Sequence, residues 1–344
     1  MRRNDNRRFA ATLAALLLLL AAAVYVSVTN GTFDIAPLDV AKTLLRIHPN
    51  ADYDLVVFDF RLPRIVIAML VGFGLGIAGA VIQGITRNGL ADPGILGINA
   101  GAGAAIVTFL FLFAGKVKIT GWLAVMAMPV FGLIGGLLAA ACIYALAWRG
   151  GTLDPRNLVL GGIAIGSGFG AISLYLSLKM NAKDFETAAV WLTGSIYNAN
   201  WTYIVATLPW LVLLTPVIMR KAYALDLFQL GETTATGLGL ATEREKRRLL
   251  LAAIGIVSAC VAVSGGIGFI GLLAPHIAKR LVGQRHRCVL PVCGAIGMLL
   301  VTASDLIAKT AFQPAELPVG IVIAIVGVPY FVYLLFRAKA AASA

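Results

Sequence analysis

Nine stretches of this sequence run for about 20 residues almost without charge: 9–29, 65–86, 94–113, 122–148, 157–178, 201–219, 249–266, 289–308 and 317–336. A helix needs about 20 mostly apolar residues to cross roughly 30 Å of hydrocarbon at 1.5 Å per residue. Such a chain is expected to fold as an all-α polytopic membrane protein, because helices satisfy their own backbone hydrogen bonds inside lipid. Hydrophobic residues make up 60% of the chain and charged residues 13%. Soluble domains average about 45–50% and about 25%. A water-soluble globule, a disordered chain and a disulfide scaffold are excluded. The net charge of +12 is read as Lys and Arg held on the cytoplasmic side of a membrane, not as a nucleic-acid surface.

A tenth apolar stretch, 267–279, is too short for hydropathy to decide. Charge decides it. With ten spans and both termini in the cytoplasm, 19 basic residues face inward and nine outward; with nine spans the split is 14 against 14. The positive-inside bias favours ten. The first span follows an Arg-rich start and resembles a signal peptide. Its apolar run, 10–26, exceeds the 7–15 residues of a signal core, so it is read as a retained span. The longest cytoplasmic stretch is 220–248 and the longest external one 30–64.

The chain reads as a single transmembrane domain, 1–344, with an internal echo. The segments 79–97 (GAVIQGITRNGLADPGILG) and 265–283 (GGIGFIGLLAPHIAKRLVG) each run 19 residues between glycines. Two sets of five spans, about 9–178 and 201–336, face opposite ways because five is odd. That is the inverted-repeat plan of many transporters. Two GxGxxG matches, 74–79 and 266–271, lie within apolar spans. A dinucleotide fingerprint needs a preceding strand and a following helix, so both are read as packing glycines. The GxxxG spacings Gly72/Gly76, Gly132/Gly136 and Gly162/Gly166/Gly170 fit the same reading. The pattern NxT occurs at Asn30 and Asn200, where chance matches are frequent.

The spans carry no Asp, Glu, Lys or Arg away from their ends; Asp305 and Lys309 close one of them at its outer edge. Ion-coupled carriers place ionisable groups at mid-membrane. Uphill transport here therefore draws on another polypeptide. No GxxxxGK[S/T] phosphate loop is present. The histidines His48, His276 and His286 and the four cysteines show no metal-ligand spacing, and no acid, base and nucleophile cluster marks an enzyme. An ion-coupled secondary carrier and a membrane enzyme are the rival classes, and the sequence favours neither.

Six stretches, in order along residues 61–331, resemble the permease subunits of ABC importers for ferric siderophores, haem and vitamin B12. They are RLPR (61–64), GAVIQ (79–83), NGLADPGILG (88–97), GETTATGLG (231–239), GFIGLLAPH (268–276), and AELPVG (315–320) followed by GVPYF (327–331). One departure is Gly89, where the family usually has Pro. Residues 87–103 are most similar to Gram-positive ferric-siderophore permeases, particularly those for catecholates. The resemblance implies a multi-pass cell-membrane protein with ten spans per subunit. It implies a homo- or heterodimer of permeases over two ATPase subunits that bind ATP and Mg, with no cofactor on this chain. It also implies an external substrate-binding lipoprotein and ferric siderophore as cargo, with haem or vitamin B12 as the alternative; membrane lipid surrounds the chain and nucleic acid plays no part.

The resemblance also implies roles for particular residues. Arg61 and Lys309 match external cations that dock acidic residues of the binding protein. Lys309 is usually Arg in the family, so a carboxylate fork is replaced by a point charge. The loop 220–248 matches the segment that sits in the ATPase cleft. Within it, Asp226 is expected to cap one short helix that Gly231 ends, and a second runs from Glu232 to Gly237 or Gly239. Leu230, Gly231, Glu232, Ala235, Leu238 and Gly239 are the expected coupling residues. Asp154, Pro155, Arg156 and Asn157 occupy the place of the cytoplasmic gate, by position only.

Overall fold

The computed structural model describes residues 3–31, 33, 35–47, 50–113, 121–311 and 315–342. Thr32, His48, Lys116 and Lys118 lie outside them. The described chain is helical apart from one small hairpin. It runs through α1 (Arg3–Thr29), α2 (Pro37–Leu44) and α3 (Ala51–Asp54), which continues by a π-helical turn (Leu55–Arg61) into α4 (Leu62–Thr86). A 3-10 turn (Pro93–Leu96) leads into α5 (Ile98–Phe113). Next, α6 (Trp122–Ala147) and α7 (Pro155–Ser177) are joined by the antiparallel strands β1 (Trp148–Arg149) and β2 (Thr152–Leu153). The second half holds α8 (Ala182–Thr193), α9 (Trp201–Arg220), α10 (Ala222–Phe228), α11 (Glu232–Gly237), α12 (Thr242–Ser264), α13 (Ile270–Val282), α14 (His286–Thr310) and α15 (Val319–Ala342).

Seven helices among the described residues are long and apolar enough to cross a membrane: Asp5–Thr29, Ala51–Thr86, Val125–Ala147, Pro155–Ser177, Trp201–Arg220, Thr242–Ser264 and His286–Thr310. Length alone stops short of the expected ten. The other three expected stretches fall on α5, α13 and α15, whose apolar helical segments are shorter than a full span. The first of them starts late because Pro93 and Gly94 form the 3-10 turn, capped by the Asp92 carboxylate.

Helix α4 is the centre of the bundle. In its most apolar window 78% of residues are buried, as are 83% in α12; α1, α7 and α9 bury 11%, 17% and 22% and form the periphery. Small residues explain the centre. A Cβ on Gly72 would overlap the Gly297 carbonyl of α14, and one on Gly76 the Cys293 carbonyl. Gly79 meets Gly271 of α13 in the same way. Backbones in contact leave glycine as the residue that fits. Neither GxGxxG match follows a strand. The first lies inside α4, and the second crosses the turn into α13.

The two echoing segments take different local structures. Residues 79–97 comprise the end of α4, a loop and the 3-10 turn, whereas 265–283 comprise a turn followed by α13. The two segments also pack on each other. The Asp92 carboxylate accepts the Phe269 amide at 3.0 Å, and Lys279 donates to Gln83 at 3.1 Å. Phe269 holds a left-handed backbone, φ 66°, which an L-residue adopts only where its surroundings impose it.

Candidate functional site

Chemically versatile residues gather at the two ends of the bundle. At one end, α1 finishes, α4 begins and α14 finishes. Arg61 and Lys309 both lie here, and both turn into the chain. Arg61 is 8% exposed and donates to the carbonyls of Val28, at 2.5 Å, and Phe33. Lys309 is 6% exposed and donates to the Ser27 carbonyl at 2.7 Å and its hydroxyl at 2.9 Å. Each cation thus closes orphan carbonyls near the C-terminus of α1, where helix partial charge is negative.

Between them stands a network that the sequence reading missed. Arg64 donates from Nε to Asp305 Oδ1 at 2.9 Å, and from Nη1 to Glu316 Oε2 at 2.7 Å. Its guanidinium carbon lies 5.7 Å from the centre of the Tyr197 ring. The available signal was RLPR itself, whose second Arg had no assigned partner, together with Asp305 four residues before Lys309 on one helical face. Arg61, Arg64, Lys309, Asp59 and Glu316 line a cavity of about 520 Å³ that also reaches Tyr197 and Asn200. Three cations and two carboxylates line it, so both signs of charge meet there.

At the opposite end lie the helices of the loop 220–248. The segment forms two short helices, but their punctuation differs from expectation. Asp226 does not cap. It sits inside α10, and its carboxylate accepts the His286 backbone amide at 2.9 Å and meets His286 Nδ1 at 2.7 Å. A tertiary partner at the start of α14 has overridden local capping preference. Gly231 does not end α10 either. With φ 95° it precedes α11, which runs Glu232–Gly237. Leu230 and Leu238 are 58% and 60% exposed, whereas Ala235 is fully buried and seats the helix. Gly239, φ 86°, turns the chain toward α12.

One cation organises this end. Lys246 of α12 is 1% exposed and donates to Glu232 Oε1 at 2.7 Å and Glu243 Oε1 at 2.9 Å. The other oxygen of Glu243 accepts the Leu153 amide at 2.8 Å. Leu153 ends the hairpin that leads into α7. There Asp154 caps the helix, accepting the Arg156 amide at 2.8 Å, with Pro155 as the first helical residue and Asn157 in the first turn. Arg156 is exposed. The structure therefore brings the loop 231–239 and the segment 154–157 onto the same end, joined through Glu232, Lys246 and Glu243.

Comparison with known proteins matches this geometry to one group. The model of the FecCD transport family matches residues 18–337. The iron-uptake system permease protein FeuC of Bacillus subtilis is 56% identical over 92% of this chain and 94% of its own length. The iron(3+)-hydroxamate import system permease protein FhuG of the same organism is 46% identical over 92% and 93%. A metal-chelate type ABC transporter solved in an inward-facing conformation superposes with a TM-score of 0.81 at 26% identity, covering 94% of this chain and 98% of that one. A multi-pass helical chain matched along nearly its whole length in sequence and shape belongs to the FecCD transport family.

Proposed function

We propose that this chain is the permease subunit of an ATP-driven ABC importer that carries ferric siderophores across the cell membrane. The observation that carries the reading is 56% identity with an iron-uptake permease along 92% of the chain. The permease itself makes and breaks no covalent bond. A separate pair of ATPase subunits, holding ATP and Mg, supplies the differential stabilisation of its two states. Two permeases, identical or paralogous, enclose the route, and an external lipoprotein delivers the chelate.

In this reading the chain threads the bilayer ten times: the seven long spans plus α5, α13 and α15. Both termini then lie in the cytoplasm, and the halves 9–178 and 201–336 face opposite ways. The end holding Arg61, Arg64 and Lys309 is external and receives the binding protein. The end holding α10 and α11 is cytoplasmic, and Leu230, Gly231, Glu232, Leu238 and Gly239 meet the ATPase while Ala235 supports them from behind. Asp154, Pro155, Arg156 and Asn157 guard the inner mouth.

The test is uptake of labelled cargo by a strain lacking the gene: radioactive iron in ferric catecholate, ferric hydroxamate or haem, and radioactive cobalt in vitamin B12. Restoration by this chain of ferric-siderophore uptake alone is the expected result. Restoration of haem or vitamin B12 uptake instead overturns the cargo. A tag beside Arg285 that reacts from outside intact cells overturns the ten-span orientation.

A further inference from the structure

The hairpin preceding α7 is held from one side by a carboxylate, and that carboxylate belongs to the same ion cluster as α11. Starting from the exposed loop, Glu232 binds Lys246, Lys246 binds Glu243, and Glu243 binds the backbone amide of Leu153. Every link is between 2.7 and 2.9 Å. Lys246 is the one fully buried member; the side chains of Glu232 and Glu243 are 41% and 28% exposed. A buried ammonium between two carboxylates must stay paired, because leaving it alone is costly. A shift of Glu232 therefore pulls on Lys246, and the shift is shared with the carboxylate that holds the hairpin.

We propose that Lys246 and Glu243 are positioning residues that pass movement of α11 to the start of α7, so that ATPase closure and the inner mouth change together. The idea rests on the coupling role of the loop 231–239 given above and adds the path by which that role reaches the segment 154–157. Proximity alone does not establish such a path; a joint response of both ends does.

Lys246→Met cuts the chain while filling the same buried space, and the two carboxylates it releases, Glu232 and Glu243, are 41% and 28% exposed and take up water in place of the ammonium. Glu243→Gln is the second cut; it keeps an acceptor for the Leu153 amide and removes the charge facing Lys246. Nitroxide reporters are placed one at a time at Thr234→Cys on α11 and Leu160→Cys on α7. Both positions are exposed, and Cys142→Ala removes the exposed native thiol while Cys260, Cys288 and Cys293 are buried. The full complex with its ATPase is reconstituted in lipid and given MgATP and vanadate.

In the otherwise native chain both reporters are expected to change mobility. In Lys246→Met and in Glu243→Gln, position 234 still responds, position 160 does not, and uptake falls at least tenfold while ATP hydrolysis continues. A response at 160 that persists in either variant overturns the relay and leaves the coupling loop standing. Silence at both positions in the native chain overturns the coupling role of the loop, and the relay with it.

Discussion

Arg64 and Asp305, 241 residues apart in sequence, meet in a two-pronged ion pair, with Nε and Nη2 of the arginine each 2.9 Å from Oδ1 of the aspartate. The pair ties the start of α4 to the end of α14, and Glu316 completes it from the chain leading to α15. Asp305 is 1% exposed. Removing one member of a buried pair costs about 3–5 kcal/mol, because the other is left uncompensated. Asp305→Ala is expected to lower the thermal midpoint of the detergent-solubilised protein well below that of the native chain. Arg64→Met with Asp305→Leu and Glu316→Gln is expected to recover most of the loss, because none of the three interacting charges is then left without its partner.

The glycine contacts at the centre make a sharper prediction. Gly72→Ala puts a methyl into the Gly297 carbonyl and is expected to cost roughly 1–3 kcal/mol by overpacking. Gly168→Ala on α7 has nothing within 4 Å of the added carbon. It is expected to be neutral, or to stabilise by up to about 1 kcal/mol through lost backbone freedom in the unfolded chain. Parallel melting curves decide it. Equal losses in the two variants would mean that α4 and α14 are not in direct backbone contact.

Leu230 and Leu238 are large, apolar and open to solvent at the end assigned to the ATPase. Leu238→Asp and Leu230→Asp are expected to leave the melting temperature within a degree or two, since neither side chain is part of the core. Each should weaken co-purification of the ATPase by on the order of tenfold or more, the effect of losing an anchor residue. Undiminished co-purification from both variants would remove this face from the interface.

Docking at the opposite end is expected to be electrostatic in its rate. The on-rate of the binding protein should fall steeply as salt rises, because exposed charge steers encounter and is screened within about 10 Å at 0.1 M. Lys309 is 6% exposed and adds to the field of this end rather than offering a free contact, so Lys309→Gln is expected to lower the on-rate in low salt by only about twofold and to flatten that dependence slightly. Its hydrogen bonds to Ser27 make a neutral polar replacement the fair test, since glutamine still donates. Stopped-flow association at several salt concentrations measures both effects, and a salt-independent native rate would rule the mechanism out.

Local signals carried much of this architecture. The apolar runs mark the long helices, and Glu232 and Gly237 bound α11 as their types suggest. Signals failed where the deciding partner is distant. Asp226 reads as a helix cap, yet His286, 60 residues on, takes its carboxylate. Lys246 reads as one more cytoplasmic charge in TEREKRR, and only packing shows it buried between two carboxylates from different elements. Arg61 and Lys309 read as free surface cations, because nothing in their neighbourhoods announces the carbonyls of α1. Helix α13, 13 residues long, falls short of the length rule, and its place among the crossings rests on the proposed ten-span threading.

The direct backbone contacts of Gly72 with Gly297 and Gly79 with Gly271 bear on how such a molecule can work. Two helices separated by interlocking side chains can slip by rotamer changes, but bare carbonyls pressed against bare α-carbons have no such bearing surface. The segments α4, α13 and α14 must therefore travel as a fixed chassis. In the importer proposed above, any movement that opens one mouth and shuts the other is left to helices outside that contact, among them α7, where a Cβ on Gly168 or Gly170 meets no atom of this chain within 4 Å.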